Sequence, residues 1–187
     1  MHAPVWVVAG PPGSGKTTVA RLLAVRLSPP GALLDKDVVY GGFAAAVIAA
    51  AGEPDGRREG PWYDSHVKVH EYAGLAAAAR DIRASGCPPV VVAPFTGAIH
   101  DPAAWADLVA ELGGAPVTLV WPDCDAAALR DRLVARASGN DVAKLAAFEA
   151  FVARMRPGEP PAVAHLRVDN RGPLAALPAQ LDAIVAA

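Results

Sequence analysis

The stretch Gly10-Pro11-Pro12-Gly13-Ser14-Gly15-Lys16-Thr17 constrains this chain more than any other. It satisfies G-x-x-x-x-G-K-[ST] in full. The β-branched run Val5 to Ala9 precedes it, and Val19, Leu22, Leu23 and Leu27 follow at helical spacing. Strand, glycine-rich turn and helix in that order make a cradle for phosphate. The glycines let the backbone curl so that successive N–H groups point inward, and the helix presents its positive N-terminal end. Lys16 adds a full charge, and the Thr17 hydroxyl suits Mg²⁺. A plain tight turn needs neither the lysine nor the hydroxyl. ATP is therefore the expected ligand, held by Gly10, Pro12, Gly13, Ser14, Gly15, Lys16, Thr17 and Thr18, with Mg²⁺ as its companion ion.

The rest of the chain repeats the strand–helix rhythm. Ala32-Leu33-Leu34 reads as a second buried strand ending at Asp35-Lys36-Asp37, and Val90-Val91-Val92, Val117 to Trp121 and Leu166-Arg167-Val168 as three more. Helical spacing is read from Phe43 to Ala51, Trp62 to Ala84, Trp105 to Leu112, around Leu129 and Leu133, from Leu145 to Met155, and after Pro178. This alternation predicts an α/β fold, a parallel β-sheet covered by helices on both faces. Its length of 187 residues suits one domain spanning 1–187, and no linker divides it.

Composition removes several classes of function. The chain is 53% hydrophobic and 19% charged, with a formal net charge of −2, which excludes a disordered chain and a broad electrostatic grip on nucleic acid. Cys87 and Cys124 lie far apart without paired spacing, so neither a disulfide framework nor a zinc site is expected. The N-terminus has no basic n-region and no apolar run approaches the ~20 residues of a membrane span. The expectation is a cytoplasmic protein, a monomer or homodimer, acting on a small molecule rather than on nucleic acid or a membrane.

ATP binding alone does not say what the energy is for, and Asp35-Lys36-Asp37 bears on that. Two carboxylates two residues apart on a strand share one face, at the sheet edge where phosphates would lie. Asp37 is assigned as the base that takes a hydroxyl proton, and Asp35 to the Mg²⁺ shell. The same acids also suit a helix N-cap or a solvated turn.

With the loop and this acidic pair in hand, the chain resembles the small P-loop kinases of the gluconate kinase, shikimate kinase and chloramphenicol phosphotransferase group. The resemblance implies a P-loop NTPase fold of the nucleoside-monophosphate-kinase type, and phosphoryl transfer from ATP to a hydroxyl of a sugar, specialised metabolite or antibiotic. It places Asp37 where such kinases keep their proton acceptor. It implies lid arginines, for which Arg132 and Arg136 are the candidates within a lid spanning 130–146, and an adenine-flanking loop carrying Asn170 and Arg171. One departure stands out: those kinases usually carry an acid after the third strand, whereas Val90 to Thr96 has none.

In that architecture the acceptor pocket comes from the insert after the second strand, here 38–75, and from the third strand's edge. The candidates are Asp37, Tyr40, Phe43, Arg57, Arg58, Trp62, Tyr63, His66, His70, Phe95 and Thr96. Aromatics with a few polar groups suit a ring or a sugar, although any one of them equally suits core packing. Alternatives from other classes are a nucleoside or nucleoside monophosphate kinase, and a regulatory ATP-binding protein that transfers nothing.

Overall fold

The computed structural model describes residues 3–53, 58–136 and 141–186. Its centre is a five-stranded, all-parallel sheet: β1 (Val5–Val8), β2 (Ala32–Asp35), β3 (Pro89–Val92), β4 (Val117–Asp123) and β5 (Leu166–Asp169), in the spatial order β2-β3-β1-β4-β5. Because β1 lies between β3 and β4, the connection out of β1 runs to one side of it, to β2, and the connection out of β3 crosses to the other side, to β4. That opens a crevice beyond the C-terminal end of β1, where open α/β sheets bind ligands.

Two-residue alternation on the strands builds two core layers. Val5, Val7, Val91, Leu119 and Trp121 face α4 (Val69–Ala84), α5 (Thr96–Ile99) and α6 (Pro102–Glu111), whose Leu75, Ala79, Ile99 and Leu108 complete that layer. Val8, Val90, Val92, Val120 and Val168 face α1 (Lys16–Ala24) and α10 (Leu177–Ala186), whose Val19, Leu23 and Leu181 are buried. The expected double-faced parallel sheet is thus the observed one. Being covered on both sides, its strands read as nearly unbroken apolar runs.

Two smaller clusters carry the walls of the crevice. Ala44 and Ile48 of α2 (Lys36–Ala50) pack on Tyr63 and Val67. Leu129 and Leu133 of α7 (Ala126–Arg136) pack with Cys124 and with Phe151 of α9 (Phe148–Met155). The helix expected from Leu145 to Met155 is two, α8 (Val142–Ala146) and α9, separated at Ala147, whose φ of −119° leaves the helical range.

The helix expected from Trp62 to Ala84 is also interrupted. It consists of α3 (Pro61–Tyr63), one π-helical turn (Asp64–Lys68) and α4. The wider i→i+5 turn absorbs one extra residue. Tyr63 and Glu71, eight apart and about 80° out of line on a regular helix, are thereby placed as if seven apart, two full turns on one face.

Truncating Leu23, which is fully buried against the sheet, is expected to cost about 2–5 kcal/mol in urea unfolding. Phe43→Ala, at a side chain 65% exposed, should change stability by no more than about 0.5 kcal/mol.

Candidate functional site

The glycine-rich loop closes the C-terminal end of β1. Gly13 and Gly15 have φ of 89° and 86°, a region that side chains other than glycine rarely adopt. At Gly15 a Cβ would also collide with the Asn170 side-chain amide. The loop is tied from two sides: the Gly10 N–H donates to the Pro94 carbonyl at 3.1 Å, and Asn170 Nδ2 donates to the Ser14 carbonyl at 2.7 Å. No side chain caps the start of α1, so its first amides are left for a ligand. Lys16 Nζ donates to the Pro11 carbonyl at 2.9 Å across the loop. Burial lowers the Lys16 ammonium to a pKa of about 8, while Asp37 and Asp35 act in the other direction.

Thr17 Oγ1 donates to Asp35 Oδ2 at 2.6 Å, and Asp35 Oδ1 accepts the Asp37 backbone N–H at 3.0 Å. Asp35 therefore caps α2 and holds the Thr17 hydroxyl with the same carboxylate. Both the cap and the second-strand acid read from the sequence apply to it. Hydroxyl and carboxylate together are the hard oxygen pair that suits Mg²⁺.

The loop opens onto a cleft of about 1130 Å³ that runs to α6 and is lined by Lys16, Thr17, Asp35, Asp37, Thr96 and Arg132, among others. Pro12, Gly13, Gly15 and Thr18 also face it, whereas Gly10 and Ser14 are buried behind. Among acceptor candidates, Asp37, Tyr63, Phe95, Thr96 and Arg58 line the cleft. Phe95 is largely committed to the core, edge-on to Tyr72 at 5.1 Å between ring centres.

Several expectations are corrected. Asp37 does not share a strand face with Asp35: β2 ends at Asp35, and Asp37 belongs to the first turn of α2. Tyr40 packs over Gly74 against the main core, and Phe43 points into solvent; neither lines the cleft. Trp62 and His66 stack on each other at 5.0 Å outside the cleft, with His66 Nδ1 against the Trp62 carbonyl at 2.9 Å. His70 is exposed. Arg57 lies outside the described residues. Arg171 forms a two-pronged ion pair with Asp169 of its own turn, which holds that carboxyl well below the usual range, and it does not face the cleft. Asn170 is buried and buttresses the loop.

The two arginines expected in a lid differ. Arg132 Nη2 donates to the Asn170 carbonyl at 2.5 Å, while its Nη1 is buried beside the loop without a partner. Arg136 is gripped by the buried Asp141 through two bonds of 2.7 Å.

The largest feature that the sequence reading missed is a buried charged network beneath Asp37. Glu71, 1% exposed, accepts from Tyr63 Oη at 2.5 Å and Lys36 Nζ at 3.0 Å on one oxygen, and from Arg58 Nη2 at 2.5 Å on the other. Lys36 and Arg58 each also reach Asp37 Oδ1 at 3.2 Å. Burial pulls the Asp37 carboxyl up, but these two cations, with Lys16 behind them, bring it below its usual value. Burial and the bond to Glu71 push the Tyr63 phenol up, so it stays a donor. Only the π-helical turn brings Tyr63 and Glu71 together, and a regular helical reading has no signal for it.

Fold and loop together define a P-loop protein of the kinase type. The chain belongs to a family of AAA domains, whose model matches residues 5–158. It is 50% identical over 54 residues to a shikimate kinase of Saccharopolyspora erythraea, a stretch covering 28% of this chain and 31% of that enzyme. Solved structures of similar fold include a sugar kinase from Janibacter sp. (TM-score 0.65, 20% identity, 98% of this chain and 97% of that one) and the Mycobacterium tuberculosis APS kinase in complex with AMPPNP and APS (0.63, 19%, 99% and 96%). Another is the tunicamycin resistance protein of Deinococcus radiodurans (0.57, 18%, 98% and 95%).

Because phosphate favours charged Lys16, affinity for a non-hydrolysable ATP analogue should hold up to about pH 8. Above that it should fall by up to about tenfold per unit as free Lys16 loses its proton. Calorimetric titration from pH 6 to 10 checks this, and a Lys16→Met variant should bind weakly with no such break.

Proposed function

We propose that the chain is an ATP- and Mg²⁺-dependent phosphotransferase that moves the γ-phosphoryl group onto a hydroxyl of a small molecule, with Asp37 taking the hydroxyl proton. One observation carries this reading: the Thr17–Asp35 pair, Lys16 and the Asp37 carboxylate converge on one cleft at the end of β1. Lys16 and the uncapped start of α1 would bind β- and γ-phosphate oxygens, and Thr17 with Asp35 would hold Mg²⁺. When bound, the ion neutralises charge on the transferring group. Asp35 thereby stands in for the acid that the end of β3 lacks.

Arg132 is the arginine with a free prong beside the loop, so it serves the phosphates, while Arg136 anchors α7 to Asp141. Asp37 is 71% exposed and held ionised by its neighbours, as a base open to an incoming hydroxyl must be. A nucleoside monophosphate would need free cations for its own phosphate. Among the described residues on that side, Lys36 and Arg58 are paired with Glu71 and Asp37, and Lys68 with Asp64 at 2.9 Å. That favours an acceptor recognised through its hydroxyls. Sugars and antibiotics head the test panel, since a sugar kinase and a tunicamycin resistance protein share the fold.

Incubation with Mg-ATP and a panel of sugars, nucleosides, amino alcohols and ring-bearing antibiotics, read by mass spectrometry, should give a product heavier by one phosphoryl group. Asp37→Asn is expected to lower that transfer by about 10²-fold or more at unchanged nucleotide affinity. Undiminished transfer in Asp37→Asn would remove Asp37 from the role of base.

A further inference from the structure

Asp37 presents a difficulty for the reading above. Its side chain is exposed, and the contacts that fix its carboxylate are the two 3.2 Å ion pairs to Lys36 Nζ and Arg58 Nη1, both on Oδ1. Long cationic side chains at a surface seldom hold one geometry, because ordering them costs side-chain entropy that an exposed ion pair barely offsets. Here both cations are ordered from behind. Lys36 is 8% exposed and Arg58 16%, and each sends a second bond to the same buried carboxylate, Glu71. Glu71 is itself fixed by Tyr63 Oη and by its place on α4 after the π-helical turn.

We propose that Glu71 is a positioning residue: through Lys36 and Arg58 it aims the Asp37 carboxylate at the acceptor hydroxyl. This rests on Asp37 being the proton acceptor, but the geometric part stands apart from catalysis. The network joins the start of α2, the segment before α3, Tyr63 of α3, and α4. Glu71 touches Tyr63, Lys36 and Arg58, and it lies behind them, away from the cleft lining. Both cations reach Asp37 through Oδ1, so they hold the carboxylate from one side. Tyr63 Oη completes the arrangement by donating to Glu71 Oε2, and among the described residues Arg58 Nε is buried without a partner, so its two terminal nitrogens make the ion pairs.

The test reads Asp37 directly. Three-bond couplings across its Cα–Cβ bond, measured by NMR on the nucleotide-free protein, should report a single rotamer in wild type. Glu71→Gln, which keeps shape but drops the charge, should give averaged couplings at Asp37 while the amide spectrum of the sheet stays folded. Arg58→Gln, at a less buried site, is the second variant should Glu71→Gln fail to fold, and it should loosen Asp37 in the same way. A single unaltered rotamer in a folded Glu71→Gln protein, or in Arg58→Gln where the former does not fold, overturns the proposal. In transfer assays Glu71→Gln should lower kcat roughly 10- to 100-fold with the KM for ATP unchanged, as misplacement of a reacting group does. Loss of ATP affinity in step with kcat would mark Glu71 as merely structural. Absence of transfer in wild type would count against the phosphotransferase reading and leave the rotamer result to decide the role of Glu71.

Discussion

Every feature of the site depends on keeping the Gly10 to Thr17 loop open around a space that a high negative charge can fill. Left to itself such a loop would collapse or turn its amides to water. Here it is held from outside: β3 through the Pro94 carbonyl, the β5 end through Asn170, and β2 through the Thr17–Asp35 bond. Ties from three strand ends, one beside β1 and two from the opposite edges of the sheet, thus converge on one loop. That convergence is possible because β1 sits between β3 and β4, with β2 just beyond. A loop fixed before its ligand arrives needs little reorganisation when charge develops, which is where preorganised sites gain most.

The cleft separates two kinds of cation. Among the described residues, Lys16 and Arg132 face the loop end of the cleft without a carboxylate partner, and Arg132 Nη1, beside the loop without a partner, is a polar atom that a phosphate oxygen would satisfy. Lys36, Arg58, Arg136 and Lys68 are instead bound to carboxylates of the protein. Buried ion pairs rarely add much net stability, since desolvation consumes most of the attraction. Their value here is geometric. They fix side chains that would otherwise wander beside the cleft.

Much of this was legible in the sequence, for physical reasons that also explain the failures. The strands were readable because a sheet covered on both faces demands nearly unbroken apolar runs, as in Val90-Val91-Val92 and, Thr118 apart, Val117 to Trp121. The phosphate loop was readable because its glycines and its lysine answer to chemistry rather than to packing. Asp35 and Asp37 were found but misplaced on a common strand, because a strand ending in its own helix cap leaves no loop to announce the change. The aromatic candidates divided because an aromatic fits a core, a stack or a pocket equally well. Trp62 went to a stack and Phe95 largely to the core, while Tyr63 reached the cleft. Glu71 escaped because its partners lie 8, 13 and 35 residues away, one of them aligned only by a π-helical turn that no periodicity reveals.

The measurement that bears most directly on the central claim is a ³¹P NMR time course of the wild-type protein with Mg-ATP and a mixture of hydroxylated small molecules. It follows where the γ-phosphorus goes. Phosphoryl transfer to an acceptor hydroxyl requires a new phosphate-monoester resonance to grow as the γ-resonance of ATP declines, with little inorganic phosphate. Decay of ATP into ADP and inorganic phosphate alone, at the same rate with and without the mixture, would contradict the account and leave a nucleotide-binding hydrolase in its place.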